Sequence, residues 1–432
     1  MSKKVCMFVW NHFTNDARVL RECTALTEAG YEVDLIAIHD WKNEQLLKKE
    51  QRPEGFTVYR VNNKLKVLPK MSGTVKRVKR LVFKNVMTKA VAAVFVLLAL
   101  WKLFVPTMLL LFAAMVLSHP KIGTLFLRAS IATQMVLRGM KKSYDIYHSN
   151  DLNTLPQGIV CAKLLRRRKL VYDSHEVQTS RTGYDSKIYG IMEKLYLQFI
   201  DVMIAENHTR AKYNEELYGF YPEVVHNYPF VTRPENSSAV NLHEMLHIPK
   251  EEPILLYQGG IQSGRGLEKV VQAVPLIKRG VVVFIGDGRI KPDLERLVDE
   301  MKIHDRVKFL SKVPVEQLPH YTKNAYLGFQ VLNNTNFNHY SASSNKLFEY
   351  MMSGIPVVAC SFPEIQRVVE GEHTGVCVDS HDPASIAEGV NYLLDHPEER
   401  EQMRQNAFRA REKYNWEHEK EVFLEIYQRM FV

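Results

Sequence analysis

The chain has 432 residues, 46% hydrophobic and 24% charged, enough for two α/β domains with separate cores and too apolar for a disordered chain. Five cysteines (Cys6, Cys23, Cys161, Cys360, Cys377) make no CxxC pair and lie mostly in apolar runs, which favours buried free thiols in a reducing compartment over a disulfide or zinc framework. The net charge of +9 is concentrated: residues 55–144 hold 16 Lys and Arg with no Asp or Glu, leaving 41 basic and 48 acidic residues elsewhere. The basic residues flank the longest apolar run instead of interleaving with a stacking platform, so an anionic lipid surface suits the block better than nucleic acid.

In chain order, residues 5–10 read as a strand, 17–29 as a helix ended by Gly30, and 32–38 and 57–61 as strands. Lys3 and Lys4 lead directly into the first strand, so no signal peptide is predicted. An insert follows at about 64–142. Its first helix puts Val75, Val78, Val82 and Val86 on one face and Lys76, Arg77, Lys79 and Arg80 elsewhere, an interfacial pattern. Residues 90–117 are then an apolar run interrupted by Lys102, Pro106 and Thr107.

A single crossing there would divide one sheet across the bilayer. Basic residues at both ends (Lys84 and Lys89, Lys121 and Arg128) keep both on the cytoplasmic side. Two passes of about 12 to 15 residues at roughly 1.5 Å each reach about 18 to 22 Å, short of the roughly 30 Å hydrocarbon core. The expectation is a helical hairpin entering one leaflet, with Phe95, Leu98, Trp101, Leu110 and Phe112 among its lipid contacts. The competing reading is a buried helical pair. After the hairpin, Ile122, Leu125, Phe126, Ala129, Thr133, Val136, Leu137 and Met140 keep helical spacing on a face that suits core or lipid.

Residues 145–148 form the next predicted strand, then a loop at 149–156. Strand 169–172 carries Asp173-Ser174-His175-Glu176 at its carboxyl end, and 201–205 and 224–227 complete this half. Pro229, Pro234 and the polar run 235–238 mark a linker. The rhythm then repeats, with strands at 254–258, 281–285, 307–310, 325–331, 357–359 and 375–378. Helices are predicted between them at 267–274 and 291–301, with a last one at 397–414 before a charged helical tail. The predicted organisation is a doubly wound N-terminal domain (1–228), a linker (229–249), a second doubly wound domain (250–396) and C-terminal helices (397–432) that cross back to the first domain. Two such Rossmann-like domains facing across a cleft would bind ligand at the carboxyl ends of their strands.

Two motifs carry the chemistry. Residues 258–268 (QGGIQSGRGLE) follow a strand and open a helix: Gly259, Gly260 and Gly266 let backbone approach a phosphate, and Arg265 adds a cationic fork. Residues 341–359 read as a loop of small polar residues, a helix opening near Asn345, a stop at Ser353-Gly354, and a buried strand. Ser343 or Ser344 is the expected cap, and the helix start suits an anion such as a diphosphate. Glu349, one turn in, is placed to accept hydrogen bonds from hydroxyls such as those of a ribose.

The order of these motifs, with Gly286-Asp287-Gly288, 307–310 and 354–358, resembles the C-terminal domain of family 4 glycosyltransferases, retaining enzymes of the GT-B fold. Residues 16–21 and 30–33 look like their opening βα unit, extending the resemblance to nearly the whole chain. It implies a nucleotide-sugar donor, UDP-linked in preference to GDP-linked, with no metal. Glu349 would bind the ribose, Ser343, Ser344, Asn345, Lys346 and Leu347 would form the phosphate-binding helix start, and Arg265 would meet the diphosphate. The implied mechanism is front-face displacement through an oxocarbenium-like state.

Three positions depart from the family pattern. Ser341 stands where a first glutamate is frequent, and Gly260 where an arginine is common. The usual His-x-His is here His148-Ser149-Asn150, followed by Asp151. Asn150 cannot act as a base, so Asp151 or His175 is the candidate for a polar role near the reacting carbon. The insert points to a lipid-linked acceptor, such as a polyprenyl-diphosphate saccharide or a glycolipid, for a monotopic or peripheral protein on the cytoplasmic membrane face in surface polysaccharide or glycoconjugate synthesis. A nucleotide-sugar epimerase of the same architecture and a catalytically impaired membrane subunit are the alternatives.

Overall fold

The structure is a computed structural model that describes residues 2–63, 120–180, 187–232 and 240–431, except 15 and 44, with scattered positions between 77 and 108. They pack as two compact units, Met1–Tyr172 with Phe199–Asp201, and Asp173–Gln198 with Val202–Val432.

The first unit is built on β1 (Lys4–Phe8), β2 (Glu32–His39), β3 (Lys49–Gln51), β4 (Thr57–Asn62), β5 (Ile146–Asn150) and β6 (Lys169–Ser174), the unit boundary falling within β6. Their order is β3-β4-β2-β1-β5-β6. β1 pairs in parallel with β2 and β5, and β2 with β4. β1 and β5 are buried along nearly their whole length; β1 reads as an apolar run, whereas β5 buries the polar His148, Ser149 and Asn150. β3 is an antiparallel edge strand that the hydrophobic pattern did not announce. Arg60 on β4 holds Glu50 at 2.6 Å, so pairing here is carried by backbone and charge. Helix Ala17–Glu28 is capped by Asp16, which accepts from the Val19 amide, and buries Val19, Cys23 and Leu26. β5 runs two residues further than the sequence suggested, so His148, Ser149 and Asn150 are strand residues and buried.

Helix Pro120–Gly139 settles which way its apolar stripe points. Ile131 and Met135 are buried, and a Cβ on Gly139 would lie 2.8 Å from the Phe8 ring, so this face touches the sheet. Gln134 bonds both backbone groups of Asn62 at 3.1 Å, and the Arg138 guanidinium lies 3.3 Å from the Tyr59 ring centre. Leu125, Phe126 and Leu137 lie on the other side, 67%, 47% and 63% exposed, with Ala129 and Thr133. The stripe read from spacing is therefore the outward one.

Of the membrane-contact candidates, Lys76, Lys79, Phe95, Leu98, Trp101, Leu110 and Phe112 lie outside the described residues, as does most of 90–117. Arg77 and Arg80 are helical and exposed, and so are the apolar Leu81, Val94, Leu97 and Met108. Among the described residues, no helix is long and apolar enough to cross a membrane.

The second unit contains a parallel pair, β7 (Val202–Ala205) and β8 (Glu223–Val224), and a six-stranded sheet. The sheet comprises β9 (Ile254–Gln258), β10 (Val281–Ile285), β11 (Val307–Leu310), β12 (Leu327–Gln330), β13 (Val357–Cys360) and β14 (Gly375–Val378). The order is β11-β10-β9-β12-β13-β14, with every pair parallel. Separate apolar clusters cover its faces, one with Leu256, Val283, Phe348 and Tyr350, the other with Leu255, Val282, Phe284 and Val390. This alternation along β9 and β10 is the period-2 signature of a sheet buried on both sides.

By packing, residues 173–198 and 202–228 go with the C-terminal residues. The reason is a set of polar contacts that sequence rhythm does not reveal. Thr209 donates from its amide (2.9 Å) and hydroxyl (2.6 Å) to Glu364, and Asn338 exchanges two hydrogen bonds with the Val177 backbone. On the last helix, Trp416–Arg429, Glu419 accepts from the His226 amide at 2.7 Å and Arg429 pairs with Glu223 at 3.0 Å.

Candidate functional site

The sheet order of the second unit reverses between β9 and β12, so chain leaves these neighbours in opposite directions and opens a crevice at their carboxyl ends. The loops there are held closely together. The Gly259 amide donates to Ile285 O at 2.9 Å, and the Ile261 amide to Asp287 O at 3.1 Å. A Cβ on Gly286 would lie 1.9 Å from Gly259 O, and one on Gly288 1.9 Å from Ile261 O, so only glycine permits this approach. The Gly286-Asp287-Gly288 turn, a weak signal when taken alone in sequence, is what fixes the loop after β9.

Helix Asn345–Met352 begins in the same crevice. Ser344 occupies the cap position but makes no side-chain cap; its hydroxyl donates to Gln330 Oε1 at 3.1 Å. Ser343 Oγ accepts instead from Asn207 Nδ2 at 3.4 Å. The expected serine cap is thus corrected, and the helix start meets the crevice without one. A backbone donor set of this kind receives an anion favourably.

Glu349 is fixed by Gln258 Nε2, which donates to it at 2.8 Å, while Gln258 Oε1 accepts from Thr322 Oγ1 at 2.7 Å. Lys346 lies alongside Gly259 with its ammonium 5.4 Å from the Tyr257 ring centre. Desolvation first, and the nearby Arg265 second, push its pKa down to about 8. His339 is lowered as well, by burial and then by Arg265. Two cations held near each other with little water are a site for a multiply charged anion, which relieves both effects.

These groups line one pocket with a volume of about 610 Å³. Gly259, Gly260, Arg265, Ser343, Ser344, Asn345, Lys346 and Glu349 all contribute to its wall. Gly266 and Leu347 are buried behind it, Gly266 in a left-handed conformation (φ 71°) that leads into helix Leu267–Ala273. Sequence reasoning missed Asp287, Lys312, Val313, Val315 and Leu318 on one side, and Glu176, Glu206, Arg210 and Asn227 on the other. The available signal was positional, since these residues follow strand ends. A second cavity of about 550 Å³, lined by Pro253, Tyr326, Ile355 and Arg400, lies at the amino ends of β9, β12 and β13 and carries none of the glycine-rich turns.

The catalytic candidates fall in different surroundings. His148 is fully buried in β5 with Nε2 3.8 Å from Glu22, which also pairs with Arg18 at 3.0 Å. Asn150 is buried too, and its amide donates to Phe8 O at 3.0 Å. Asp151 follows in the left-handed region (φ 63°). In the second unit His175 Nε2 is 3.2 Å from Asp173, and His175 O accepts from Arg210 at 2.6 Å. Cys6, Cys23, Cys161 and Cys360 are buried free thiols, and Cys377 is a partly buried one.

Strand order and crevice define a doubly wound α/β unit, preceded by a second sheet-based unit. Comparison with known proteins is consistent with this class. Residues 240–410 match the family described as Glycosyl transferases group 1. The D-inositol 3-phosphate glycosyltransferase of Thermomonospora curvata is 28% identical over 252 residues, covering 52% of this chain and 56% of that protein. The chain thus aligns with little more than half the length of that relative. A sucrose-phosphate synthase from Thermosynechococcus elongatus superposes with a TM-score of 0.71 at 17% identity, covering 99% of both chains. Anabaena HepE in complex with UDP-glucose gives 0.69 at 14% identity, covering 98% of this chain and 99% of that one. The chain has the two-domain α/β fold of the GT-B type.

Proposed function

We propose that this chain is a retaining glycosyltransferase that moves a sugar from a nucleotide-diphosphate donor to a lipid-linked acceptor at the cytoplasmic face of the membrane. The observation that carries the donor half is the pocket in which Lys346, Arg265 and an uncapped helix start converge, with Glu349 held beside them. The two cations and the helix dipole neutralise the diphosphate as it leaves, the charge a metal supplies in other transferases. Glu349 accepts from the ribose hydroxyls, and a UDP donor is favoured over GDP. The HepE complexes, solved with UDP and with UDP-glucose, support a donor of this class.

The lipid half rests on the outward face of helix Pro120–Gly139, where Leu125, Phe126 and Leu137 are exposed, within a segment that has 16 basic and no acidic residues. A partly inserted apolar face with surrounding cations binds anionic lipid surfaces. By their names, the inositol-phosphate transferase and the sucrose-phosphate synthase serve phosphorylated polyols or sugars, so a soluble acceptor is the competing reading. A catalytically impaired subunit is the third, favoured by the commitment of Asn150 to the Phe8 carbonyl.

The test is transfer of labelled sugar from UDP-sugars by purified protein, with and without membranes carrying lipid-linked saccharides. Transfer dependent on those membranes and abolished in Glu349→Ala supports the proposal. Equal transfer to soluble acceptors defeats its lipid half, and no transfer to any acceptor favours the impaired subunit.

A further inference from the structure

One end of the pocket has a built arrangement that the donor motifs do not include. Arg210, buried on helix His208–Tyr218, donates to Ser341 Oγ (3.2 Å), His175 O (2.6 Å) and Asn338 O (3.2 Å), and pairs with Glu206. Four directions of the guanidinium are thereby occupied. Glu206, only 14% exposed at its side chain, still reaches the pocket wall, as does Glu176. Asn207, next in sequence, bonds Ser341 O at 2.8 Å and so ties this end to the loop before helix Asn345–Met352.

Strand order arranges the wall from end to end. Val313, Val315 and Leu318 follow β11, Asp287 follows β10, and Gly259 to Arg265 follow β9. Ser343 to Lys346 open the helix beside them, and the Asn207 and Arg210 bonds to Ser341 hold Glu206 next to the loop before that helix, with Glu176 also on the wall. If the diphosphate lies on Arg265, Lys346 and the helix start, the apolar side chains after β11 meet the base. The transferred sugar then lies against Glu206. On the reading of the pocket as a nucleotide-sugar site, we propose that Glu206, oriented by Arg210, is a specificity-determining residue that accepts hydrogen bonds from hydroxyls of the transferred sugar. The pocket thereby selects neutral sugars and rejects uronic acids. Two carboxylates face that end, and Arg210 beside them is already engaged, so a sugar carboxylate meets repulsion there. Arg210 is a positioning residue.

The experiment compares dissociation constants of the full chain for UDP, UDP-glucose and UDP-glucuronate by calorimetry. Wild type binds UDP-glucose at least tenfold more tightly than UDP-glucuronate. Glu206→Gln weakens UDP-glucose about tenfold or more, the size expected for hydrogen bonds to a charged acceptor, and leaves UDP within twofold. It also narrows the gap to UDP-glucuronate, and Glu206→Asp restores part of the loss. Equal effects of Glu206→Gln on UDP and UDP-glucose, or equal wild-type affinity for both sugars, overturn the proposal while leaving the nucleotide site intact. A wild-type chain that binds none of the three ligands removes the uridine-nucleotide site itself.

Discussion

Ser344 turns its hydroxyl away from the helix it precedes and donates it to Gln330 Oε1 at 3.1 Å. Gln330 is fully buried at the end of β12, so that one hydrogen bond trades a helix cap for a partner to the amide oxygen, while Nε2 of the same amide makes no hydrogen bond. It also leaves the helix start open toward the Lys346 side of the pocket.

Ser344→Ala is therefore expected to destabilise the chain by about 1 to 2 kcal/mol through the stranded Gln330 carbonyl, since a buried acceptor without its donor loses its compensation. The double variant Ser344→Ala/Gln330→Met should recover most of that loss, because both polar partners are then gone. Urea melts of the four proteins in the cycle measure the coupling; strictly additive effects would contradict the assignment.

Glu349→Ala removes the proposed ribose acceptor and the partner of Gln258 Nε2. Affinity for a nucleoside diphosphate should fall about tenfold to a hundredfold, in line with hydrogen bonds to a charged group. Calorimetric titration of UDP into wild type and variant reads this directly, and an unchanged constant would detach Glu349 from the ligand.

Lys346 gives the site a pH dependence with a definite sign. Its pKa is lowered to about 8 in the ligand-free fold, so between pH 8 and 10 the ammonium loses its proton earlier than it does in an unfolded chain. A bound diphosphate favours the charged form and raises that pKa again. Binding should weaken as pH rises above about 8 and take up a proton there, seen as a buffer-dependent heat at pH 8.5. Lys346→Met should lose the proton uptake along with at least tenfold of the affinity, and should melt higher without ligand because it removes a desolvated charge.

Gly286→Ala brings a methyl group within 1.9 Å of Gly259 O, a separation that backbone movement must relieve. The loops after β9 and β10 should part, with a stability loss on the order of 2 kcal/mol or more and weaker nucleotide binding. Thermal melts together with UDP titration test both effects.

Leu125→Glu and Phe126→Glu alter residues that are 67% and 47% exposed, so the melting temperature should change little. Partition onto vesicles of anionic lipid should fall by about tenfold, because each substitution removes an apolar contact and adds a repelled charge. Unchanged partition would assign membrane attachment, if any, to other residues.

The sequence by itself determined the alternation of strand and helix, the helix at 345–352 and its stop, and the glycine-rich turn after β9. Period and glycine placement are local and need no partner. It also isolated the basic apolar segment, because charge composition is additive along the chain. It could not say that helix Pro120–Gly139 turns Leu125, Phe126 and Leu137 outward, since an apolar stripe is the same whether sheet or lipid receives it. Nor could it place the unit boundary within β6, which depends on Thr209 meeting Glu364 and Asn338 meeting Val177 across long separations. The redirected Ser344 hydroxyl and the Arg210 network that brings Glu206 to the pocket are likewise products of tertiary structure. Each depends on which of several chemically adequate partners lies within about 3 Å, and only the packed fold makes that choice.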